Sequence, residues 1–147
     1  MCIRDRGVLI PVSVKRFLSH FVCDIKGYID ESFSSYVEDL NVIFYSDNLE
    51  LGEIDSIFRR LHDVDAVVLF LYDAIFNRQQ FMLYEKLREQ FSLYVVVSDV
   101  PYDLRFLGGR VPVYLTYGIN PIQFQVLLRV LFGMVKPLGK LPVDIEF

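Results

Sequence analysis

The chain has 147 residues, which is enough for one domain with a single sizeable core. Its net charge is −4 at pH 7, and its Lys and Arg residues are scattered, so a nucleic-acid partner is disfavoured. The apolar runs are far shorter than the roughly 20 residues of a bilayer-crossing helix, so no membrane span is predicted. Cys2 and Cys23 lack metal-ligand spacing, so neither a metal site nor a disulfide framework is expected. These features leave open whether the protein is cytoplasmic or secreted.

The first six residues, Met1 to Arg6, have neither the apolar core of a signal peptide nor an amphipathic period. They resemble translated adaptor sequence at the end of an assembled metagenomic fragment, which predicts that the natural chain was cut near Gly7. A disordered N-terminal tail is the alternative interpretation. The predicted organisation is therefore a non-native or disordered tail over residues 1–7 and a single α/β domain over residues 8–147.

Apolar runs of strand length alternate along the chain with segments of helical periodicity. The expected strands are 8–14, 41–45, 66–72, 93–98 and 111–116. Helical spacing lies between them, with a break at Gly27 in the first helical segment and a last helix from Pro121. The connections are too long for hairpins, so they imply right-handed βαβ crossovers. This order predicts a flavodoxin-like, three-layer α/β/α sandwich with a mainly parallel sheet of five to six strands.

Helix ends can be placed from their capping residues. Asn77 followed by Gln80 is typical of a capping box at the start of the fourth helical segment. Asn120 can accept a hydrogen bond from first-turn amides, and Pro121 suits the first helical position. Gly133 is expected to end that last helix in a left-handed conformation.

In an open α/β sheet, ligands bind beyond the carboxyl ends of the strands. Tyr72 and Asp73 follow the most buried predicted strand, and Tyr102 and Asn120 follow the next two. Asp73 could hold a sugar hydroxyl, although such a residue more often solvates a strand end or caps a turn. We predict these four residues as substrate-binding, and we interpret Asp99 and Asp103, which flank Tyr102, as turn and cap residues.

Several kinds of catalytic site are not indicated. The sequence contains neither a dinucleotide-binding fingerprint nor a phosphate-binding P-loop, and no nucleophile elbow is present. His20 and His62 lie within or at the end of helical segments, which is typical of surface histidines. Glycosidases need two carboxyl groups at a defined separation, and the spacing shows no such pair. We therefore predict no catalytic residue, no metal and no cofactor for this chain.

The stretch from Val111 to Val143 resembles the end of the C-terminal α/β domain of family 3 glycoside hydrolases. In that family a strand carrying a Tyr is followed by a helix ending in Leu-Phe-Gly and by a Pro-x-Gly-Lys-Leu-Pro-Val signature. The matching positions here are Tyr117, residues 131–133 and residues 137–143. The run 101–104, Pro-Tyr-Asp-Leu, is similar to a turn in the N-acetylhexosaminidase branch. An ordinary, well-capped βα unit is the alternative.

The resemblance implies that the nucleophilic Asp belongs to an N-terminal barrel domain, which is missing here. In the β-glucosidase-like branch the C-terminal domain supplies an acid/base Glu from a loop, whereas Glu50, Glu53, Glu85 and Glu89 lie on predicted helices or at their starts. The β-N-acetylhexosaminidase-like branch, in which a His and an Asp of the barrel serve, therefore fits better.

The function implied is that of a truncated, non-catalytic companion domain, inactive alone, that packs on the barrel and helps shape the site for a carbohydrate substrate. Two alternatives remain open at this point. One is a stand-alone flavodoxin-like module that binds a nucleotide or another small ligand. The other is a protein interaction domain that docks a partner through exposed aromatic residues.

Overall fold

A single parallel sheet organises the computed structural model, which describes residues 5–108 and 111–145. Within those ranges the sheet has five strands in the order β2-β1-β3-β4-β5, and every neighbouring pair is parallel. The strands are β1 (Asp5–Pro11), β2 (Asp39–Tyr45), β3 (Ala66–Leu71), β4 (Ser92–Val97) and β5 (Val113–Leu115). The helices are α1 (Val12–Leu18), α2 (Ile25–Phe33), α3 (Leu51–Arg60), α4 (Gln79–Gln90) and α5 (Pro121–Leu131), with a 3-10 helix at Pro101–Phe106.

The sheet is buried on both faces, which explains its continuous apolar strands. All six residues of β3 are buried, and their side chains alternate between two cores. Leu69 and Leu71 pack with α3 and α4, whereas Val68 and Phe70 pack with α1, α2 and α5. The predicted three-layer α/β sandwich with a parallel sheet is therefore confirmed.

The N-terminal region differs from the prediction. Residues 5–7, assigned to the tail, lie in β1 and pair with β2, and Arg6 also pairs with Ala66 of β3. The Arg6 side chain is buried, with its guanidinium 5.3 Å from the ring centre of Tyr94 and 5.4 Å from that of Phe132. Gly7 is needed for close packing, because an added Cβ would lie 2.6 Å from Leu61. The ordered domain thus begins before residue 8.

The origin of the first residues, native or not, stays a prediction. Residues 1–4 of the predicted tail and the last two residues of the predicted domain lie outside the described ranges.

Two other boundaries also moved. The first strand ends at Pro11, and residues 12–14, expected in that strand, begin α1. The break in the first helical segment spans residues 19–24 rather than Gly27. Gly27 instead lies in the first turn of α2, where its N–H donates to Asp24 Oδ1 at 3.0 Å. A Cβ on Gly27 would lie 2.2 Å from that carboxylate, so a side chain here would require the Asp24 carboxylate to shift.

Candidate functional site

The carboxyl ends of β1 and β3 flank the point where the strand order reverses, which is the usual ligand crevice of such sheets. Ser13, just after β1, donates from its backbone N–H to Asp47 Oδ1 at 3.1 Å, and its hydroxyl also bonds the Asp47 carboxylate. Asp47 follows β2, so this pair ties the ends of β1 and β2 together. The Asp47 carboxylate is therefore already hydrogen-bonded within the protein.

Tyr72, the first residue after β3, is held by Gln80 of α4. Its N–H donates to Gln80 Oε1 at 3.1 Å, and its carbonyl accepts from Gln80 Nε2 at 2.8 Å. The Tyr45 hydroxyl donates to the Phe70 carbonyl and lies 3.3 Å from Gln80 Oε1. Gln80 is fully buried. Its amide hydrogen-bonds the N–H and the carbonyl of Tyr72, which lie just beyond the last residue of β3.

These bonds correct the predicted capping box. Gln80 sits near the start of α4, and its backbone N–H donates to the Asn77 carbonyl at 3.0 Å. The side chain points inward to Tyr72 rather than back to the backbone N–H of Asn77. Burial of the Gln80 side chain explains the difference, because a buried amide left unpaired would cost more than an uncapped helix start exposed to water.

Asp73 has a left-handed backbone, with φ of 47°, a conformation that Asp tolerates better than most residues. The carboxyl group of Asp99 lies close enough to influence it. Partial burial raises the pKa of Asp73, and the neighbouring carboxyl groups of Asp99, Asp103 and Asp47 raise it further. These neighbours disfavour the charged form of Asp73.

The Asp73–Asp99 pair was not predicted, although the strands contain a signal for it. Leu71 of β3 pairs with Val97 of β4 in the sheet register. Asp73 and Asp99 each stand two residues beyond that pair, so parallel pairing of the two strands brings them level. The sequence shows both residues but not that these two strands are neighbours.

Asp103 fixes the turn that follows Asp73. This buried carboxylate accepts hydrogen bonds from the N–H of Ala74 at 3.0 Å and of Ile75 at 2.8 Å. Burial raises the pKa of Asp103, and the two backbone hydrogen bonds oppose that rise. Asp103 was predicted as a cap of its own turn, but it lies within the 3-10 helix and holds the distant turn after Asp73 instead.

Tyr102 and Asn120 follow β4 and β5, which both lie on the same side of β3 in the sheet. Tyr102 is half-exposed on the 3-10 helix after β4, with the Arg105 guanidinium 5.9 Å from its ring centre. Asn120 follows β5 at the sheet's edge and caps α5, as predicted: its Oδ1 accepts from Gln123 N–H at 2.9 Å, and Gln123 Oε1 accepts from Asn120 N–H at 3.0 Å. The structure thus brings Tyr72 and Asp73 to one strand end and puts Asn120 two strands away.

Within residues 5–108 and 111–145, no group of three His, Cys, Asp or Glu side chains is placed to hold a metal ion. Among the helices of those same ranges, none is long and apolar enough to cross a membrane. The carboxyl ends of the strands therefore carry carboxyl and aromatic groups. Some of these groups hydrogen-bond within the protein, and others are open to solvent.

Similar solved structures include two family 3 glycoside hydrolases. A β-N-acetylglucosaminidase from Paenibacillus sp. str. FPU-7 matches with a TM-score of 0.76 and 23% identity, over 93% of this chain and 26% of that one. A fungal multi-domain β-N-acetylglucosaminidase, described as having a unique GCN5-related glucosamine N-acetyltransferase region, matches with a TM-score of 0.74 and 17% identity. That second match covers 99% of this chain and 16% of the fungal one.

The fold is one that occurs within family 3 β-N-acetylglucosaminidases. The resemblance seen in residues 111–143 is thus confirmed as a likeness of fold. This chain spans about a quarter of the first of these proteins and about a sixth of the second. No family model and no curated protein matches the sequence.

Proposed function

We propose that this chain is a C-terminal companion domain of a larger glycoside hydrolase of the β-N-acetylhexosaminidase type. The main support is the fold match that covers 93% of this chain but only 26% of a β-N-acetylglucosaminidase. The Leu-Phe-Gly and Pro-x-Gly-Lys-Leu-Pro-Val motifs at 131–133 and 137–143 agree with it. In this proposal the reacting groups belong to a catalytic barrel of the same parent chain.

The chemistry of the sheet edge supports a non-catalytic role. Retaining and inverting glycosidases separate their two carboxyl groups by about 5 Å or more. Asp73 and Asp99 follow two neighbouring strands at one edge of the sheet, and we propose that neither serves as the acid or the nucleophile of the reaction. Asp103 is occupied by two backbone amides.

The same groups are suited to holding a sugar from outside the reaction centre. Carboxylates accept hydrogen bonds from hydroxyl groups, and the raised pKa of Asp73 favours its protonated form, which can also donate one. Tyr102 and Phe76, both exposed, offer aromatic faces near the same end of the sheet. We propose that Asp73, Tyr72 and Tyr102 contribute to the outer part of the parent's sugar site, and that Asn120 acts there through the helix it caps.

The test is turnover by the purified chain with aryl N-acetylglucosaminides and aryl glucosides. We expect none. Turnover that survives purification and is abolished by Asp73→Ala would overturn the proposal. The genomic DNA upstream of Gly7 provides an independent check: a frame that encodes a barrel with a Lys-His-Phe-like motif supports the assignment, and an intact gene that begins at Met1 contradicts it.

The alternative of a free-standing nucleotide-binding module has less support. Phosphate groups are bound by backbone N–H donors and cations at helix starts. The ends of β2, β3 and β4 instead present Asp47, Asp73 and Asp99 beside the crevice. This concentration of carboxyl groups would repel a phosphate.

A further inference from the structure

One buried side chain connects the 3-10 helix after β4 to the turn between β3 and α4. Asp103 of the 3-10 helix accepts hydrogen bonds from the backbone N–H groups of Ala74 at 3.0 Å and Ile75 at 2.8 Å. These partners lie 29 and 28 positions earlier in the chain. We call this carboxyl group with its two hydrogen bonds the Asp103 latch, and we call residues 73–77 the latched turn.

The remaining backbone hydrogen bonds of the latched turn are local. In the described part of the chain they run between residues 73 and 77 or to the first turn of α4. Phe76 of this turn is 82% exposed. Asp103 is thus the side chain that fastens the turn to another element, so breaking the latch would free the turn while β3 and α4 keep their places.

The Asp103 latch lies among acidic groups. Asp103 is 1% exposed, and the carboxyl groups of Asp73 on the latched turn and Asp99 after β4 lie close to it. The Tyr45 hydroxyl of β2 also faces it. Further acidic groups lie next to Asp73 or Tyr45, namely Asp47, Glu53 and Tyr72. Each of these neighbours adds negative charge when it ionises.

The cations near this end of the sheet contact aromatic rings instead. Their charged groups lie 4.5–5.9 Å from ring centres, in the pairs Lys15 with Phe44, Arg78 with Phe106 and Arg105 with Tyr102. Within residues 5–108 and 111–145, the ion pairs that form involve none of the carboxyl groups around the latch. The crowding of negative charge at the latch is therefore not relieved by an ion pair there.

We propose that the Asp103 latch is an acid-closed device, which holds the turn when a carboxyl group of the latch region takes up a proton and loosens it when that proton is lost. Burial and neighbouring acids both disfavour the charged form of a carboxyl group. Opening the turn would expose Asp103 to water and move Asp73 away from it. The closed turn therefore binds protons more tightly than the open turn, and acid favours closure by linkage.

The bonds of the latch are compatible with this direction. A neutral carboxyl group still accepts a hydrogen bond through its carbonyl oxygen, so Asp103 can hold the turn in the protonated form. Burial raises the pKa of Asp103 although its two backbone hydrogen bonds oppose the rise, and the pKa of Asp73 is raised as well. If the proposed function also holds, acid would order the part of the sugar site that includes Asp73.

Hydrogen–deuterium exchange of the purified chain, followed by NMR, tests the latch at the Ala74 and Ile75 amides. After correction for the intrinsic pH dependence of exchange, we expect protection about tenfold greater at about pH 5 than at about pH 8, since one pKa unit between closed and open turns corresponds to tenfold. Amides of α5, across the sheet, should show no such change. Equal protection at the two pH values, or greater protection at the higher one, overturns the proposal.

Three variants assign the response to the latch. Asp99→Asn removes an acidic neighbour but keeps the latch bonds, so it should raise protection at about pH 8 and reduce the pH response. Asp103→Asn, which cannot titrate, should flatten most of the response. Asp55→Asn, at an exposed residue of α3, is the matched control and should change nothing. If Asp103→Asn does not fold, Asp99→Asn still decides, because a wild-type response in that variant overturns the latch. The presence or absence of a barrel upstream affects the proposed function but none of these outcomes.

Discussion

Replacing Gln80 with Met should destabilise the fold strongly, because this buried amide is the partner of two backbone groups. Met has a similar length and volume but cannot hydrogen-bond, so Gln80→Met leaves the Tyr72 N–H and carbonyl without the contacts now measured at 3.1 and 2.8 Å. Each buried polar group left unpaired costs about 1–3 kcal/mol. The apolar contacts of Met offset part of this, so the free energy of unfolding should fall by about 2–4 kcal/mol.

Urea denaturation followed by circular dichroism measures this loss, and thermal unfolding should show a decrease in Tm of about 5–15 °C for a domain of this size. The control is Gln90→Met, the same substitution at an exposed residue at the end of the same helix, which should change stability by less than about 0.5 kcal/mol. A loss below about 1 kcal/mol for Gln80→Met, or equal losses for both variants, would refute the reasoning that Gln80 holds the end of β3.

Three further predictions concern the helix cap, the carboxyl pair and the crevice. Asn120→Ala removes the side-chain half of the α5 capping box and should lower the free energy of unfolding by about 0.5–2 kcal/mol in urea; an unchanged value would contradict the cap. Because the folded-state pKa of Asp73 is raised, its stability contribution is fully present below its unfolded value near 3.9 and is lost as pH rises through the folded pKa. Asp73→Asn should therefore raise Tm at pH 7 by about 1–3 °C, a small effect because solvent screens this group, and by less at pH 3; calorimetry in which wild type is the more stable at pH 7 would contradict this. FMN or ATP at about 1 mM should leave Tm unchanged, since a ligand that binds the native state stabilises it, and a rise of several degrees would favour the nucleotide-binding alternative.

Much of the architecture could be predicted because it depends on local patterns. The run 66–71 is apolar at every position, which identifies it as a strand covered on both faces. The Asn120 and Pro121 pair marks the start of α5, and Gly133, with φ of 72°, ends it as expected. These features need only residues within one or two turns of each other.

The site was less predictable because its contacts depend on which strands are neighbours. Asp73 and Asp99 are 26 positions apart, and parallel pairing of β3 with β4 brings them together. The partners of Gln80 lie close to it in sequence, yet the local sequence is compatible with two roles: a capping box with Asn77, or hydrogen bonds to the backbone of Tyr72. Burial of the Gln80 side chain decided between them, and burial is a property of the packed molecule.

Hydrophobic periodicity and capping chemistry therefore specify that this chain forms alternating strands and helices around a parallel sheet, since each element buries its own apolar pattern. The order of the strands, the inclusion of residues 5–7 in β1 and the meeting of the carboxyl groups emerge when those elements pack. The apolar pattern of α5 has the same limit: it places Ile122 and Val126 on a helix, but packing leaves them facing outward, because α2 and the sheet cover the opposite side. Which surface stays uncovered is a consequence of three-dimensional packing, because it depends on what every other element has already buried.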